Sequence, residues 1–240
     1  MKSRETVLVT GTNRGIGFGL TRHFALRGWR VFAACRQPDS ATDLQTLARE
    51  YPGQVEILPV EVRDDSSVAA FGRAVAERTS TLDLLINNAG ILPEDEQERT
   101  GELRLAPILE AFDVNVAGVI RVTQAVLPLL RAGSRPRLVN ITSGAGSIKA
   151  ETFARHPAYG ISKAALNMFT RRAAFDLMAT GITVVCLSPG FVQTDMNRGR
   201  KAAISMEEAA QALTETCVNL QPEHHGQWLD RFGKPSDFAW

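Results

Sequence analysis

Short apolar segments alternate with segments of helical pattern along this chain, and this alternation limits the folds open to it. Most of the apolar segments show no polar–apolar alternation, so both faces of each strand must be covered. A sheet covered by helices on both faces is typical of parallel strands. We therefore predict an α/β fold, a doubly wound parallel sheet in a single domain over 1–240. The predicted strands, with their following turns, are 6–10, 30–36, 55–62, 82–90, 137–143, 182–190 and a last one at 226–231.

The composition argues against several classes of protein. The 27 basic and 26 acidic residues give a net charge of +1, which indicates neither a nucleic-acid partner nor an anionic membrane surface. No apolar run reaches the length of a membrane span, and the first residues enter a strand without the apolar region of a signal peptide. The three cysteines lack the spacing of a disulfide framework or a metal site. We expect buried free thiols, no metal and a cytoplasmic protein.

The first predicted strand runs directly into the glycine-rich turn TGTNRGIGFG at 10–19, and a helical pattern follows. The first glycine permits a tight turn, and the later ones let the backbone approach a pyrophosphate. Amide groups at the start of the helix can then bind the phosphates. A plain turn with packing glycines is the alternative. The sequence predicts a dinucleotide site formed by Gly11, Thr12, Asn13, Arg14, Gly15, Ile16 and Gly17.

The end of the second strand indicates which dinucleotide would bind. An NAD site usually has a carboxylate there, for the ribose hydroxyls. In AACRQP that position is taken by Cys35, and Arg36 follows. Together with Arg14 in the glycine turn, Arg36 suits a 2′-phosphate, because guanidinium groups bind phosphate in a bidentate manner. We predict NADP(H) as the cofactor; two solvated surface arginines are the alternative.

Six motifs occur in the order seen in one family. They are TGTNRGIG (10–17), NNAG (87–90), NVAG (115–118), NITS (140–143), YGISK (159–163) and SPGFVQTDM (188–196). The chain resembles the short-chain dehydrogenases/reductases, enzymes with a Rossmann-type fold. The tail at 226–240 is also similar to that of sniffer-like or C-factor-like carbonyl reductases.

A tyrosine and a lysine one helical turn apart are the core of the predicted chemistry. Positions i and i+4 share a helix face, so the ammonium of Lys163 can lower the pKa of the Tyr159 phenol. The resemblance implies that Tyr159 exchanges a proton with the substrate oxygen, that Lys163 holds the nicotinamide ribose and that Ser143 hydrogen-bonds the substrate. It also implies that Asn115 completes a tetrad through a water chain to Lys163. The segment between Ser143 and Tyr159 is longer than usual, which leaves Ser147 as a rival for the substrate serine.

The resemblance also implies further contacts. For the cofactor these are Glu61 and Val62 at the adenine, Asn88, Ala89 and Gly90 at the adenine ribose, and Pro189, Gly190, Val192 and Thr194 at the nicotinamide. Glu61 replaces the family's usual aspartate, which weakens the adenine prediction. A substrate lid is expected at about 191–210. Our candidates for the wall of the substrate pocket are Phe153, Phe191 and Met196, whose apolar side chains suit a hydrophobic or aromatic carbonyl compound.

These observations predict an NADP(H)-dependent oxidoreductase that reduces a ketone, aldehyde or quinone carbonyl to an alcohol. The alternative is an NADPH-sensing regulatory protein that acts through a partner. By analogy with the family, we expect a homodimer or homotetramer that uses its long helices at 107–130 and 158–180. The physiological substrate, the stereochemistry and the direction of the reaction in the cell stay open.

Overall fold

The computed structural model describes residues 4–93, 100–150, 156–194, 204–238 and 240. Seven parallel strands form one sheet in the order β3-β2-β1-β4-β5-β6-β7. The strands are β1 Thr6–Thr10, β2 Arg30–Cys35, β3 Val55–Pro59, β4 Leu84–Asn87, β5 Arg137–Ile141, β6 Thr183–Ser188 and β7 Trp228–Asp230. The order reverses between β1 and β4, and crevices at such switch points bind ligands in α/β sheets. The predicted doubly wound parallel sheet is confirmed.

Helices cover both faces of this sheet. They are α1 Gly15–Leu26, α2 Thr42–Glu50, α3 Asp65–Ala76, α4 Leu105–Phe112, α5 Gly118–Arg131, α6 Pro157–Leu177 and α7 Met206–Asn219. One buried apolar cluster joins the sheet to α1, α2 and α7, and a second joins its other face to α3, α5 and α6. Across the ranges that the structure describes, no helix has both the length and the apolar character needed to cross a membrane.

The helix predicted over 107–130 differs most from the structure. It is divided into α4 and α5 by a π-helical turn at Asp113–Ala117. Such turns place one extra residue in the helix and are frequent at functional sites. Apolar residues occur before, within and after this turn, so the apolar pattern of the sequence did not reveal the interruption.

Two smaller expectations were also wrong. The helical pattern at 17–28 predicts that Leu26 faces the core, whereas Leu26 is 55% exposed at the end of α1. The apolar pattern at 66–79 predicts a helix opened by Ser66, whereas α3 begins at Asp65 and its N-cap is Asp64, which accepts hydrogen bonds from the amides of Ser66 and Ser67. Aspartate and serine are both favourable N-caps, so the choice between candidates two residues apart depended on backbone geometry.

Candidate functional site

The glycine turn between β1 and α1 is closed tightly against the strands beside it. The amides of Gly11 and Thr12 both donate to the carbonyl of Ala34, at 2.8 and 3.2 Å. Gly11 has φ +71°, and a Cβ atom on Gly17 would overlap the carbonyl oxygen of Gly11. The Asn88 Nδ2 atom donates to that same oxygen at 3.2 Å and to Thr10 O at 2.9 Å. The close contacts at positions 11 and 17 therefore require glycine.

This turn has the features that a pyrophosphate group requires. Gly15 has φ +60°, and nothing lies within 4 Å of the position that a Cβ atom would take there. Arg14 is the N-cap of α1, and its side chain makes no capping hydrogen bond. The first amides of a helix have no partner inside the helix, so they can donate to an anion. Asn13 and Arg14 are exposed, whereas Thr12 is fully buried with Oγ1 on Ala34 O.

The carboxyl ends of β2 and β3 bring two of the predicted cofactor residues together. Arg36 is exposed, and its Nη1 atom lies 4.0 Å from Oε2 of the half-buried Glu61. Cys35, where an NAD enzyme usually has a carboxylate, is buried, and burial raises the pKa of its thiol. Val62 is buried against Gly118, which has no room for a Cβ atom. The position of the guanidinium is consistent with a 2′-phosphate at this edge.

Asn115 is held inside the π-helical turn and is fully buried. Its Oδ1 atom accepts from the amide of Ile91 at 2.8 Å, and its Nδ2 atom donates to Ile91 O at 3.0 Å and to Ser162 Oγ at 2.9 Å. These three bonds connect the loop after β4 to α6. The Ser162 hydroxyl in turn donates to the carbonyl of Tyr159 at 2.8 Å. The Asn115 side chain therefore orients the part of α6 that begins with Tyr159.

Tyr159 and Lys163 lie on the same side of α6, as their spacing predicts. The Lys163 Nζ atom is 5.6 Å from the centroid of the Tyr159 ring and donates to the carbonyl of Ile141 at 2.9 Å. Lys163 is 5% exposed, and this burial lowers its pKa to about 8, although the nearby Cys186 acts in the opposite direction. A Cβ atom on Gly90 would lie 3.2 Å from Asn115 Oδ1 and 3.8 Å from Lys163 Nζ. Both groups therefore face the backbone of Gly90.

The loop after β5 places two serines at different depths. Ser143 is half-buried and is the N-cap of a short 3₁₀ turn at Gly144–Gly146, where its Oγ atom accepts from Ala145 N at 3.2 Å. Ser147 is 2% exposed, and its Oγ atom accepts from Ala150 N at 3.1 Å. Only Ser143 of these two presents an accessible side chain. The strand β5, which precedes this loop, also supplies the Ile141 carbonyl that binds Lys163.

Glycines in this loop let it lie directly on α6. A Cβ atom on Gly146 would come within 2.9 Å of Lys163 Cβ and of Asn167 Nδ2. The same amide nitrogen of Asn167 donates to the carbonyl of Gly146 at 3.2 Å. A Cβ atom on Gly160 would lie 3.1 Å from Ala145 O. The loop and α6 therefore form one packed unit that fixes the relative positions of Ser143, Tyr159 and Lys163.

The segment after β6 completes this edge of the sheet. Pro189 is buried, and Gly190 has φ +84°. Val192 is buried and pairs with Ile204, while Thr194 is half-buried. Phe191 is 42% exposed. Two of the predicted pocket residues, Phe153 and Met196, lie outside the described residues, as does the part 195–203 of the segment 191–210 in which a lid was expected.

One neighbour of the candidate site was missed in the sequence. The ring of Phe238 covers Gly144, so that a Cβ atom at position 144 would lie 2.5 Å from the ring carbon Cζ. The contact joins the loop after β5 to a segment far along the chain. The only sequence signal for it is the glycine directly after the candidate serine, which the motif NITS does not include.

Comparisons with known proteins agree with this geometry. A carbonyl reductase from chicken fatty liver, solved with NADPH bound, is 34% identical, with a TM-score of 0.90, over 99% of this chain and 100% of that one. The carbonyl reductase Sniffer of Drosophila melanogaster is 29% identical, with a TM-score of 0.91 and the same coverage. The C-signal protein of Myxococcus xanthus is 39% identical over 155 residues, which is 65% of this chain and 92% of that protein.

The family comparison covers most of the chain. Residues 5–205 match the short chain dehydrogenase family, and this range includes the glycine turn, the π-helical turn, the loop after β5 and all of α6. The resemblance inferred from the six motifs is thereby confirmed. The chain belongs to the short-chain dehydrogenase family, and its fold is similar to that of the two carbonyl reductases.

Proposed function

We propose that this protein is an NADP(H)-dependent carbonyl reductase that converts a ketone, aldehyde or quinone carbonyl to an alcohol. The observation that carries the proposal is the position of the Lys163 amine. It is buried, bound to the Ile141 carbonyl, and 5.6 Å from the centroid of the Tyr159 ring. An amine in a dry site is costly, and such perturbed groups are frequent in catalytic sites. The similar carbonyl reductases of known structure support the reaction class.

NADP(H) is the proposed cofactor, because the residues at the sheet edge fit it. The backbone of Gly11, Gly15 and Gly17 would receive the pyrophosphate, and Arg14 and Arg36 would bind the 2′-phosphate. The other predicted contacts follow the edge of the sheet. They are Thr12, Asn13 and Ile16 in the turn, Glu61 and Val62, Asn88, Ala89 and Gly90, and Pro189, Gly190, Val192 and Thr194. The chicken reductase was solved with NADPH bound, which supports this choice.

Replacing both arginines tests the cofactor assignment. Arg14→Ala with Arg36→Ala should weaken NADPH binding by ten-fold or more and leave NADH binding nearly unchanged, because only NADPH carries the phosphate. Titration of tryptophan fluorescence with each nucleotide measures both affinities. The matched control is Arg49→Ala, an exposed arginine on α2. A double variant that keeps its NADPH preference would contradict the assignment.

The chain's own residues would move one proton and bind one oxygen. NADP(H), when bound, supplies the hydride for the carbonyl carbon. Ser143 would donate a hydrogen bond to the carbonyl oxygen, and the Tyr159 hydroxyl would protonate that oxygen. The ammonium of Lys163 would stabilise the phenolate that remains. Asn115 would keep α6 in register with the loop after β4. We assign the substrate contact to Ser143 and not to Ser147, which is buried.

Removing one hydroxyl tests the mechanism. Tyr159→Phe should lower turnover by at least about 100-fold, the usual contribution of a general acid, and leave NADPH affinity within two-fold. NADPH oxidation with a panel of aliphatic and aromatic diketones measures turnover. Tyr51→Phe, at the end of α2, is the matched control and should retain full activity. Wild-type turnover by Tyr159→Phe would remove Tyr159 from the mechanism.

A second candidate function is an NADPH-sensing protein that acts through a partner. The similarity to the C-signal protein of Myxococcus xanthus favours keeping it. A sensor needs the glycine turn but has no use for Tyr159 and Lys163 beside an accessible Ser143. Tight NADPH binding without turnover of any member of the carbonyl panel would select the sensor. Turnover that depends on Tyr159 would select the reductase.

We also propose that two copies associate through α4 and α6. The two helices pack against each other, and both carry exposed apolar side chains. On α6 these recur every seven residues, and on α4 they recur every three or four, so each set forms one stripe. The residues are Ile161, Met168 and Phe175 on α6, and Leu105, Leu109 and Phe112 on α4.

The free, buried thiols of the chain support a cytoplasmic location, where disulfides are rare.

A further inference from the structure

The segment after β7 folds back onto that strand. The amide of Asp230 donates to Lys234 O at 2.8 Å, and the amide of Ser236 donates to Trp228 O at 2.9 Å. This hairpin returns the chain to the face of the sheet that Trp228 occupies. The Phe238 ring stacks on the Trp228 ring with centroids 5.9 Å apart, and the Trp240 ring lies 5.7 Å from it. Trp228, Phe238 and Trp240 form what we call the aromatic cluster.

The aromatic cluster reaches the candidate active site at Gly144. Three atoms of the Phe238 ring lie 2.5 to 2.9 Å from the position of a Cβ atom on Gly144. A ring so close to the Cα atom leaves no room for a side chain at 144. Gly144 directly follows Ser143 and begins the 3₁₀ turn that Ser143 caps. The ring therefore covers the backbone that sets the direction of the Ser143 hydroxyl.

Part of the aromatic cluster stays open to solvent. Phe238 is 38% exposed and Trp240 is 41% exposed, whereas Trp228 is buried beneath them. The buried Nε1 atom of Trp228 has no hydrogen-bond partner within the part of the chain that the structure describes. Structures satisfy buried donors almost everywhere, and exceptions concentrate at functional sites. The exposure of the Phe238 and Trp240 rings and the unsatisfied donor of Trp228 both indicate that this cluster does more than fill a core.

We propose that Phe238, together with Trp240, forms one wall of the carbonyl pocket and selects substrates that carry an aromatic ring next to the carbonyl group. This inference rests on the proposed reductase function. Phe238 acts on the reaction in two ways: its covered edge positions the Ser143 loop, and its exposed part offers a flat apolar surface. Offset stacking on such a surface favours a substrate ring over a methyl group of the same diketone.

A matched pair of substrates tests the wall. The compound 1-phenyl-1,2-propanedione differs from 2,3-butanedione only by a phenyl group in place of a methyl group. We expect Phe238→Ala to raise KM for the phenyl compound at least ten-fold and to change KM for 2,3-butanedione less than three-fold, with NADPH affinity unchanged. Phe238→Tyr should restore the wild-type KM ratio. The control is Phe232→Ala, which removes an exposed ring from the same segment, where it packs on Arg231.

A double-mutant cycle tests the contact with the Ser143 loop. Gly144→Ala should displace the ring and lower kcat/KM for the phenyl compound about ten-fold. In the Phe238→Ala background the same change should cost less than two-fold, because the obstacle is gone. Independent effects of the two changes would overturn the positioning role. An unchanged KM ratio in Phe238→Ala, or an equal change in Phe232→Ala, would overturn the wall.

A binding measurement tests the aromatic wall independently of the proposed reductase reaction. Calorimetry of 1-phenyl-1,2-propanedione with the NADP⁺-saturated protein needs no turnover. If the wild type reduces neither diketone, the reductase proposal fails, but at least ten-fold weaker binding of the phenyl compound to Phe238→Ala would still support the aromatic wall. If the phenyl compound does not bind to the wild type, or binds equally to both proteins, the wall is refuted.

Discussion

At the scale of single residues, the buried amine of Lys163 carries an energetic cost. Its amine is buried, donates to the Ile141 carbonyl and faces the ring of Tyr159. Burial lowers its pKa from 10.5 to about 8, so the folded protein binds a proton here less well than the unfolded chain does. The buried amine therefore lowers the stability of the fold, which is common for groups at functional sites.

This cost predicts a stability change that depends on pH. Lys163→Met keeps an unbranched stem one atom shorter than that of lysine and removes the charge, so it should raise the free energy of unfolding at pH 7 by about 1–2 kcal/mol, after the lost bond to Ile141 is subtracted. The gain should fade between pH 8 and 10.5, because over that range the unfolded lysine stays protonated while the folded one does not. Denaturant unfolding of both proteins at a series of pH values measures the difference.

The comparison has an internal control. Lys163 and Cys186 act on each other electrostatically, but burial raises the pKa of the Cys186 and Cys217 thiols to about 12, so both stay protonated in the folded protein between pH 8 and 10.5. Over that range the thiols therefore contribute equally to the wild type and to Lys163→Met. Lys149→Met, on the exposed part of the loop after β5, should show no such pH dependence. A Lys163→Met protein that is less stable than the wild type at pH 7 would show that the amine stabilises the fold.

The sequence predicted part of the site at this scale. A spacing of four residues on a helix was enough to place Tyr159 and Lys163 on one side of α6, since that depends on local geometry. The partners of Asn115 and the ring over Gly144 are long-range contacts, which depend on how elements pack. The proposed roles of Phe153 and Met196 stay predictions, because both lie outside the described residues.

At the scale of elements, the glycine turn between β1 and α1 is the most constrained. Gly17→Ala would place a methyl group against the carbonyl oxygen of Gly11, which is backbone and cannot rotate away. We expect a loss of stability of about 1–3 kcal/mol, typical of overpacking, and at least ten-fold weaker NADPH binding. Thermal unfolding and fluorescence titration measure the two effects.

The other end of α1 supplies the control. Gly28 has φ +80° and no atom within 4 Å of the position that its Cβ would take. Gly28→Ala should therefore cost about 1 kcal/mol through the left-handed backbone alone, and NADPH affinity should not change. If Gly17→Ala binds NADPH as well as Gly28→Ala does, the turn is not the pyrophosphate site.

Elements that depend on a local pattern were predicted well, and those shaped by tertiary contacts were not. The six strands up to β6 follow from apolar runs bounded by turn residues. The π-helical turn does not, because the side-chain bonds of Asn115 to Ile91 hold the extra residue in place. The poor helix propensity of asparagine was the only local sign of it.

At the scale of the whole molecule, the exposed apolar stripes of α4 and α6 predict self-association. Met168→Glu places a charge in the middle of the α6 stripe, where the side chain is 69% exposed, so the fold should tolerate it. We expect the dimer to dissociate to a monomer with at least 100-fold weaker association, because the charge would be buried against an apolar surface. Light scattering coupled to size exclusion measures the mass.

A methionine-to-glutamate change outside the two stripes controls for the general effect of an added surface charge. Met206→Glu, at the start of α7, is also at an exposed methionine and should leave the mass unchanged. A Met168→Glu protein with the mass of the wild type would exclude α6 from the interface. The sequence predicted this surface only by analogy; the exposure of the two stripes now gives it a physical basis.

The three buried thiols make local opening of this molecule measurable by chemistry alone. Cys35 ends β2, Cys186 lies in β6 and Cys217 in α7, so each belongs to a different region of the fold. Burial raises the thiol pKa of Cys186 and of Cys217 to about 12, so almost no thiolate exists at neutral pH. An alkylating reagent therefore reacts only while a region is open. The rate at each cysteine reports how often β2 on one side of the sheet, β6 on the other side, or the covering helix α7 opens to solvent.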